Sequence, residues 1–319
     1  MGGAIAYAME DSSSQAKQHM RKTEEFAEAF SDLETRSDED IAAAILDAQS
    51  NGLAAVRHSV PDLTAAARAA ATRLRENPAG RLIYGGAGTS ARLGVQDGVE
   101  LVPTFGWPHA RLAYLIAGGP SALTQTAEGA EDDSDQAQGD ADAIDVGPAD
   151  VCVMLSASGV TPYALAACTA AREAGAVTIG IANNAGSPLL DAAEYPILLE
   201  TGAEPIGGST RMTAGTAQKV TLNLLSTLIM IRLGRVYRGM MVDVIASSDK
   251  LRDRAARIVM EAAGVEEDAA RRALAASENA VKPAVLIARG LSLADARALL
   301  DTHGGDLRLA LADVPENSV

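Results

Sequence analysis

Five short apolar runs constrain this chain more than any other feature. They are RLIYG (81–85), LAYLIA (112–117), VCVML (151–155), VTIGIA (177–182) and YPILLE (195–200). Each has the length of a strand, and none alternates strictly between apolar and polar. A strand that is apolar on both faces must be covered on both faces. Most of the stretches between the runs read as helices, among them TPYALAACTAAREA (161–174), with Thr161-Pro162 at its start. Strand and helix in repeated alternation mark a parallel sheet with helices on both sides. The expected fold class is α/β with a five-stranded parallel sheet.

Helices flank this centre. Ser37 to Asp40 reads as a capping box before IAAAILDAQSNGLAAV. Pro61 starts a second helix, DLTAAARAAATRLRE, which Asn77-Pro78-Ala79-Gly80 ends. After Gly208, STRMTAGTAQKVTLNLLSTLIMIRLG reads as one long, buried helix opened by Ser209, Thr210 and Arg211. From about 241 the pattern becomes amphipathic, in VDVIASSDKLRDRAARIVMEA, EEDAARRALAAS and LADARALLDTHGG, with Gly264 and Gly290 as stops. The expected division is a polar, partly disordered lead (1–36), N-terminal helices (37–77), the sheet domain (78–240) and a small C-terminal helical bundle (241–319).

Composition narrows the class of partner. Lys plus Arg total 27 against 42 Asp plus Glu, a net charge of −15 over 319 residues. Such a chain repels a phosphate backbone, so nucleic acid is not an expected partner. A small phosphorylated ligand would need a local electropositive pocket. Cys152 and Cys168 stand apart, with no CxxC, and read as buried apolar residues of a reducing compartment. His19, His58, His109 and His303 are scattered singly, so no metal site is expected. The opening MGGAIAYAMED lacks a basic region followed by an apolar core and does not read as a signal peptide. The longest apolar stretch, 222–233, contains Asn223 and Arg232 and is too short to span a bilayer. A cytoplasmic protein without membrane partners is the expectation.

Two loops carry the means to hold an anion. Gly85-Gly86-Ala87-Gly88-Thr89-Ser90-Ala91-Arg92 follows the first strand and opens a helix. Its glycines allow close backbone approach, a helix N-terminus aims N–H groups outward, and Thr89 and Ser90 add hydroxyls. Gly86-x-Gly88-x-x-Ala91 also fits a loose dinucleotide fingerprint. That reading needs an acid ending the second strand, where Gly118-Gly119-Pro120 stands instead. No Gly-Lys-Ser/Thr of a Walker loop follows either. The second loop, Ser156-Ala157-Ser158-Gly159-Val160-Thr161, repeats the design after the third strand. Two such loops at the carboxyl ends of neighbouring parallel strands converge where α/β folds bind ligands.

Carboxylates supply the remaining candidates. Glu100 precedes the apolar Leu101-Val102-Pro103, and Glu128-Gly129-Ala130-Glu131 opens the acidic stretch 128–148. Taken alone, Glu100 reads as a surface or capping residue and Glu128–Glu131 as part of a solvated charge run. Held at one site in different environments, two carboxylates could divide the work of acid and base.

RLIYGGAGTSARLG, DGVELVPTFG, LIAGGPSAL, AEGAEDD, SASGVTPYALA, NNAGSPL, GSTRMTAGTAQKVTLNLLSTLIMIRLGRVY and MVDVIASSDKLRDRAARIV occur in this order. Together they resemble the N-acetylmuramic acid 6-phosphate etherase family, from about residue 34 to residue 312. The resemblance implies a sugar-isomerase (SIS) domain of flavodoxin-like type, with N-terminal helices and a C-terminal helical domain. It implies a cofactor-free homodimer of the bacterial cytoplasm, acting in cell-wall sugar recycling. The reaction it implies splits the D-lactyl ether of N-acetylmuramic acid 6-phosphate with water, giving N-acetylglucosamine 6-phosphate and D-lactate. The family's two catalytic glutamates fall on Glu100, as acid to the leaving lactate, and Glu131, as base at C2. Glu128 is implied at sugar hydroxyls. Gly88, Thr89, Ser90, Ser156, Ser158, Gly159 and Thr161 are implied at the phosphate, and Ser209, Thr210 and Arg211 at the closing of the pocket.

The chain departs from the family pattern in places. Ala91 replaces a glycine. Asp97-Gly98-Val99-Glu100-Leu101-Val102-Pro103-Thr104 lacks a usual cysteine and one proline. Val160 stands where an arginine is usual, and Thr213 where a lysine is usual. Both catalytic glutamates survive, but two cations near the anion loops do not. The alternatives are a sugar-phosphate sensor of the glucokinase-regulator kind and a ketose/aldose phosphate isomerase. A regulator of that kind carries tandem SIS domains, for which this chain lacks room. An isomerase would not account for GSTRMTAGTAQK.

Overall fold

The computed structural model describes residues 21–246 and 248–314. Five strands form one sheet: β1 Leu82–Gly86, β2 Leu112–Ile116, β3 Val151–Ser156, β4 Val177–Ala182 and β5 Tyr195–Leu198. Their order is β2-β1-β3-β4-β5 and every pairing is parallel. This is the flavodoxin-like doubly wound order, whose switch point lies between β1 and β3. β1, β3 and β4 are buried along their whole length. Alternate side chains divide between two apolar layers, which is why the runs show no polar face. Leu82, Tyr84, Val151, Val153, Leu155, Ile179 and Ile181 enter one layer. Ile83, Cys152 and Met154 enter the other.

Helices α1 (Asp38–His58), α2 (Val60–Glu76) and α3 (Gly88–Phe105) belong to the N-terminal half. Ser37 caps α1 by accepting the Asp40 N–H at 3.2 Å, and its hydroxyl bonds the Asp40 carboxylate at 2.8 Å. The expected box is thus half made, because the Asp40 side chain meets the hydroxyl rather than the Ser37 N–H. Leu63, Ala66, Ala67, Ala70, Ala71 and Leu74 give α2 one buried, mostly small face. The sheet's other helices are α4 (Ser134–Ala143), α5 (Pro162–Glu173), α6 (Pro188–Ala192) and the long α7 (Thr213–Arg232). Helices α1, α2 and α3 all pack on α7.

A two-stranded hairpin, β6 Val236–Tyr237 and β7 Met240–Met241, leads to the C-terminal helices. These are α8 (Asp249–Ala263), α9 (Glu267–Ala276), α10 (Val281–Ala288), α11 (Leu293–Thr302) and α12 (Leu307–Ala312), around their own apolar core. Gly264 closes α8 in the left-handed conformation. Helices α10 and α12 extend the expected bundle.

The structure describes part of the polar lead. Residues 1–20 lie outside the described residues. From 21 to 36 the chain makes three 3-10 turns, and Thr23 is fully buried. Among the described residues, no helix is long and apolar enough to cross a membrane.

Candidate active site

The two anion loops leave the sheet side by side. Gly86 pairs with Leu155 across β1 and β3, so Ala87 and Ala157 leave at nearly one level. The first bond into α3 runs from the Ala91 N–H to the Ala87 carbonyl at 3.2 Å. The N–H groups of Gly88, Thr89 and Ser90 lie ahead of it, at the positive end of an 18-residue helix. The Ser90 side chain is otherwise engaged. Gln218 gives its amide N–H to the Asn183 oxygen at 3.0 Å, which turns its own oxygen toward Ser90. Ser90 therefore donates its proton to Gln218, at 2.8 Å. What Ser90 offers an anion is its backbone N–H.

In the second loop three hydroxyls cluster. Ser156 Oγ lies 2.8 Å from Thr161 Oγ1 and 3.2 Å from Ser158 Oγ. Ser156 also accepts the Gly159 N–H at 3.0 Å. Thr161 precedes α5 without capping it, because its hydroxyl faces Ser156. Gly159 is required here. Its φ is +71°, and a Cβ would stand 2.2 Å from Ser187 Oγ.

Both loops line a cavity of about 400 Å³, a size typical of sites for small molecules. Gly88, Thr89, Ser90, Glu131, Ser156, Ser158, Thr161 and Thr210 all reach it. A second cavity of about 270 Å³ adjoins, lined by Gly88, Thr89, Glu128 and Glu131 among others. Glu131, on a 3-10 turn between β2 and α4, borders both. Gly159 is buried beneath its loop.

Ser209, Arg211 and Glu100 lie outside both cavities. The long helix begins at Thr213, so Ser209, Thr210 and Arg211 form the turn ahead of it rather than its first turn. The cause is Glu204, whose buried carboxylate accepts the N–H of Thr213 at 2.8 Å and of Ala214 at 2.9 Å. Thr210 reaches the cavity from that turn, whereas Ser209 and Arg211 do not line it, and Arg211 is exposed.

Glu100 is also exposed, on α3, and lines neither cavity. It stands twelve residues beyond Gly88 on one helix, which at 1.5 Å per residue is about 18 Å along the axis. Its turn is nevertheless firmly held. Asp97 is buried and accepts the Tyr84 hydroxyl at 2.8 Å and the Asn223 amide at 2.7 Å. Burial, and then the Asp97 charge, push the Tyr84 hydroxyl well above its ordinary range, so it remains a donor. Val99, two residues after Asp97, and Leu224, next to Asn223, are apolar and exposed.

Sequence reasoning missed Arg21 and Glu24, which line the larger cavity, and the polar chain Gln218–Asn183 beneath it. No local pattern marks Arg21 and Glu24, because the contacts that place their segment reach Asn184, Glu200 and Gly208. Among the described residues no group of three or more His, Cys, Asp or Glu is arranged to hold a metal ion.

Residues 64–172 match the glucokinase regulatory protein N-terminal SIS domain family, and residues 128–228 match the SIS domain family. The chain is 48% identical over 294 residues to an N-acetylmuramic acid 6-phosphate etherase of Deinococcus radiodurans, covering 92% of this chain and 96% of that protein. It is 45% identical over 295 residues to one of Streptomyces coelicolor, covering 91% and 93%. It is 47% identical over 258 residues to one of Cronobacter sakazakii, covering 81% and 86%.

Proposed function

The chain belongs to the N-acetylmuramic acid 6-phosphate etherase family, and from that premise we propose that it hydrolyses the D-lactyl ether of N-acetylmuramic acid 6-phosphate. The products are N-acetylglucosamine 6-phosphate and D-lactate, and the enzyme is a carbon–oxygen lyase. The observation that carries the reading is the junction at Glu131, where one carboxylate borders both the cavity of the two anion loops and its neighbour.

The phosphoryl group takes the N–H groups of Gly88, Thr89 and Ser90 and the hydroxyls of Ser156, Ser158 and Thr161. In the open-chain sugar the C2 proton lies α to the C1 aldehyde and is acidified. Glu131 takes this proton, and the C2–H electron pair forms a C2–C3 double bond. The C3–O bond breaks, and Glu100 protonates the departing lactate oxygen. Water then adds across the unsaturated aldehyde, with hydroxyl to C3 and a proton to C2. Positioned carboxylates of this kind contribute roughly 10²–10⁴-fold each. Glu128 serves the sugar hydroxyls from the adjoining cavity.

Glu100 lines neither cavity of its own chain and stands about 18 Å along α3 from Gly88, more than one sugar ring spans. We therefore assign it to the site of a second subunit in a homodimer. Exposed apolar side chains on α7 and on two helices packed against it support a contact between subunits there: Leu46 and Leu53 on α1, Val99 on α3, and Leu224 and Ile231 on α7. The enzyme acts in the cytoplasm, in recycling of cell-wall amino sugars.

The test is direct. Purified protein given N-acetylmuramic acid 6-phosphate should release D-lactate, and Glu100→Gln and Glu131→Gln should each reduce the rate at least a hundredfold. Binding of the sugar phosphate without lactate release would instead identify a sensor.

A further inference from the structure

The larger cavity is acidic except at one point. Its charged lining consists of Glu24, Glu131, Asp132 and Arg21. Among the described lining residues Arg21 is the single lysine or arginine. Val160, at the position where the family pattern has arginine, lines the same cavity. In the adjoining cavity Arg92 is committed elsewhere, since its Nε and Nη2 donate to the Ala122 and Gln125 carbonyls at 2.9–3.1 Å.

Arg21 reaches this position because the next residues are fastened across the mouth of the sheet. Thr23 and Asn184 form a reciprocal pair: the Thr23 N–H donates to Asn184 Oδ1 at 3.3 Å, and Asn184 Nδ2 donates to Thr23 Oγ1 at 3.0 Å. Asn184 Nδ2 also donates to the Ala157 carbonyl, within the second anion loop, at 2.9 Å. The Thr23 carbonyl accepts the Gly208 N–H at 3.2 Å, and Lys22 pairs with Glu200 at 3.4 Å. Gly208 has φ +75°, and a Cβ there would stand 2.9 Å from Glu24 Oε2. The segment is thus a strap tied to the anion loop on one side and to the turn before α7 on the other.

We propose that Arg21 is a phosphate-binding residue, which supplies from the N-terminal strap the cation that Val160 leaves out of the second loop. Without Arg21 a phosphate dianion would enter a lining whose charged members are all carboxylates. With it, the N–H groups and hydroxyls of the two loops gain one charge-assisted partner. The proposal rests on the phosphate-site reading above, and it adds a recognition element from a part of the chain outside the sheet domain.

The experiment compares wild type, Arg21→Gln, Arg21→Lys, and Arg21→Gln combined with Val160→Arg. Steady-state D-lactate release gives KM and kcat, and calorimetry gives the affinity for inorganic phosphate. One charge-assisted contact is worth a factor of roughly ten to a hundred. Arg21→Gln should raise KM and weaken phosphate binding by that factor, with a smaller effect on kcat. Arg21→Lys should retain most of the affinity. Val160→Arg should restore both quantities in the Arg21→Gln background, which repair of a merely structural defect would not do. Unchanged phosphate affinity in Arg21→Gln, or no restoration by Val160→Arg, overturns the proposal. The two readouts keep the claims separate. If wild type releases no lactate, the etherase reading fails, while the phosphate titration still decides the role of Arg21.

Discussion

A subunit-mixing experiment tests the assignment of Glu100 and Glu131 to different chains. Glu100 sits about 18 Å along α3 from the anion loop that the helix opens. Each site of the dimer then takes Glu131 from one subunit and Glu100 from the other. Glu100→Gln and Glu131→Gln homodimers each lack one carboxylate at both sites and should both be nearly inactive. In a mixed dimer of the two variants both substituted positions meet at one site, so that site carries both defects. The remaining site has both carboxylates intact. Equal amounts of the two chains, paired at random, give about half mixed dimers, each with one working site of two. The expected recovery is roughly one quarter of wild-type activity per subunit. Co-expression with two affinity tags isolates the mixed dimers, in which the expected recovery is about one half. Both glutamates working within one chain would leave every site of the mixture defective. Absence of recovery in isolated mixed dimers would therefore refute the shared site. Full turnover in either single variant would refute the carboxylate assignment itself.

Other predictions concern the scaffold. Glu204→Gln leaves one oxygen where two N–H groups of α7 now donate, and should lower unfolding stability by about 2 kcal/mol in urea titration; an unchanged midpoint would contradict the capping role. Burial pushes the Asp150 carboxyl up, but hydrogen bonds from the Arg81 side chain, and from the Arg81 and Gly147 N–H groups, hold it below its ordinary value. Its folded value is depressed, so this stabilisation is present above the unfolded value near 3.9 and is lost as pH falls through the folded value. Asp150→Asn should cost on the order of 3 kcal/mol at neutral pH and flatten the acid limb of the stability profile; an acid limb identical to wild type would be inconsistent with the pairing. Burial pushes the Cys168 thiol up to about 12 and Cys152 higher still, so a disulfide reagent at pH 8 should label neither until the protein unfolds. Rapid labelling of the native protein would show that the sheet face over α5 is open.

The features legible in the sequence are those whose causes are local. The five strands stand out because a strand buried on both faces needs an uninterrupted apolar run, and the two anion loops because glycine and hydroxyls must follow the strand at once. The start of α7 depends on a partner nine residues upstream. Ser209, Thr210 and Arg211 resemble a helix opening, yet the helix begins where the Glu204 carboxylate collects two N–H groups. A window moved along the sequence does not weigh that contact. Helix α10 was obscured by Pro283, which sits in its first turn, where a missing N–H costs little. The N-terminal strap is the extreme case. Its 3-10 turns have no amphipathic period, and Thr23 finds its partner 161 residues away. Polar composition alone cannot separate a solvated lead from a strap whose polar groups are satisfied across the fold. The same long-range logic governs the site. Val160 reads as a lost cation within its own motif, whereas the folded chain brings Arg21 to the same cavity. A departure from a local motif is thus to be judged against what the whole fold delivers to that point.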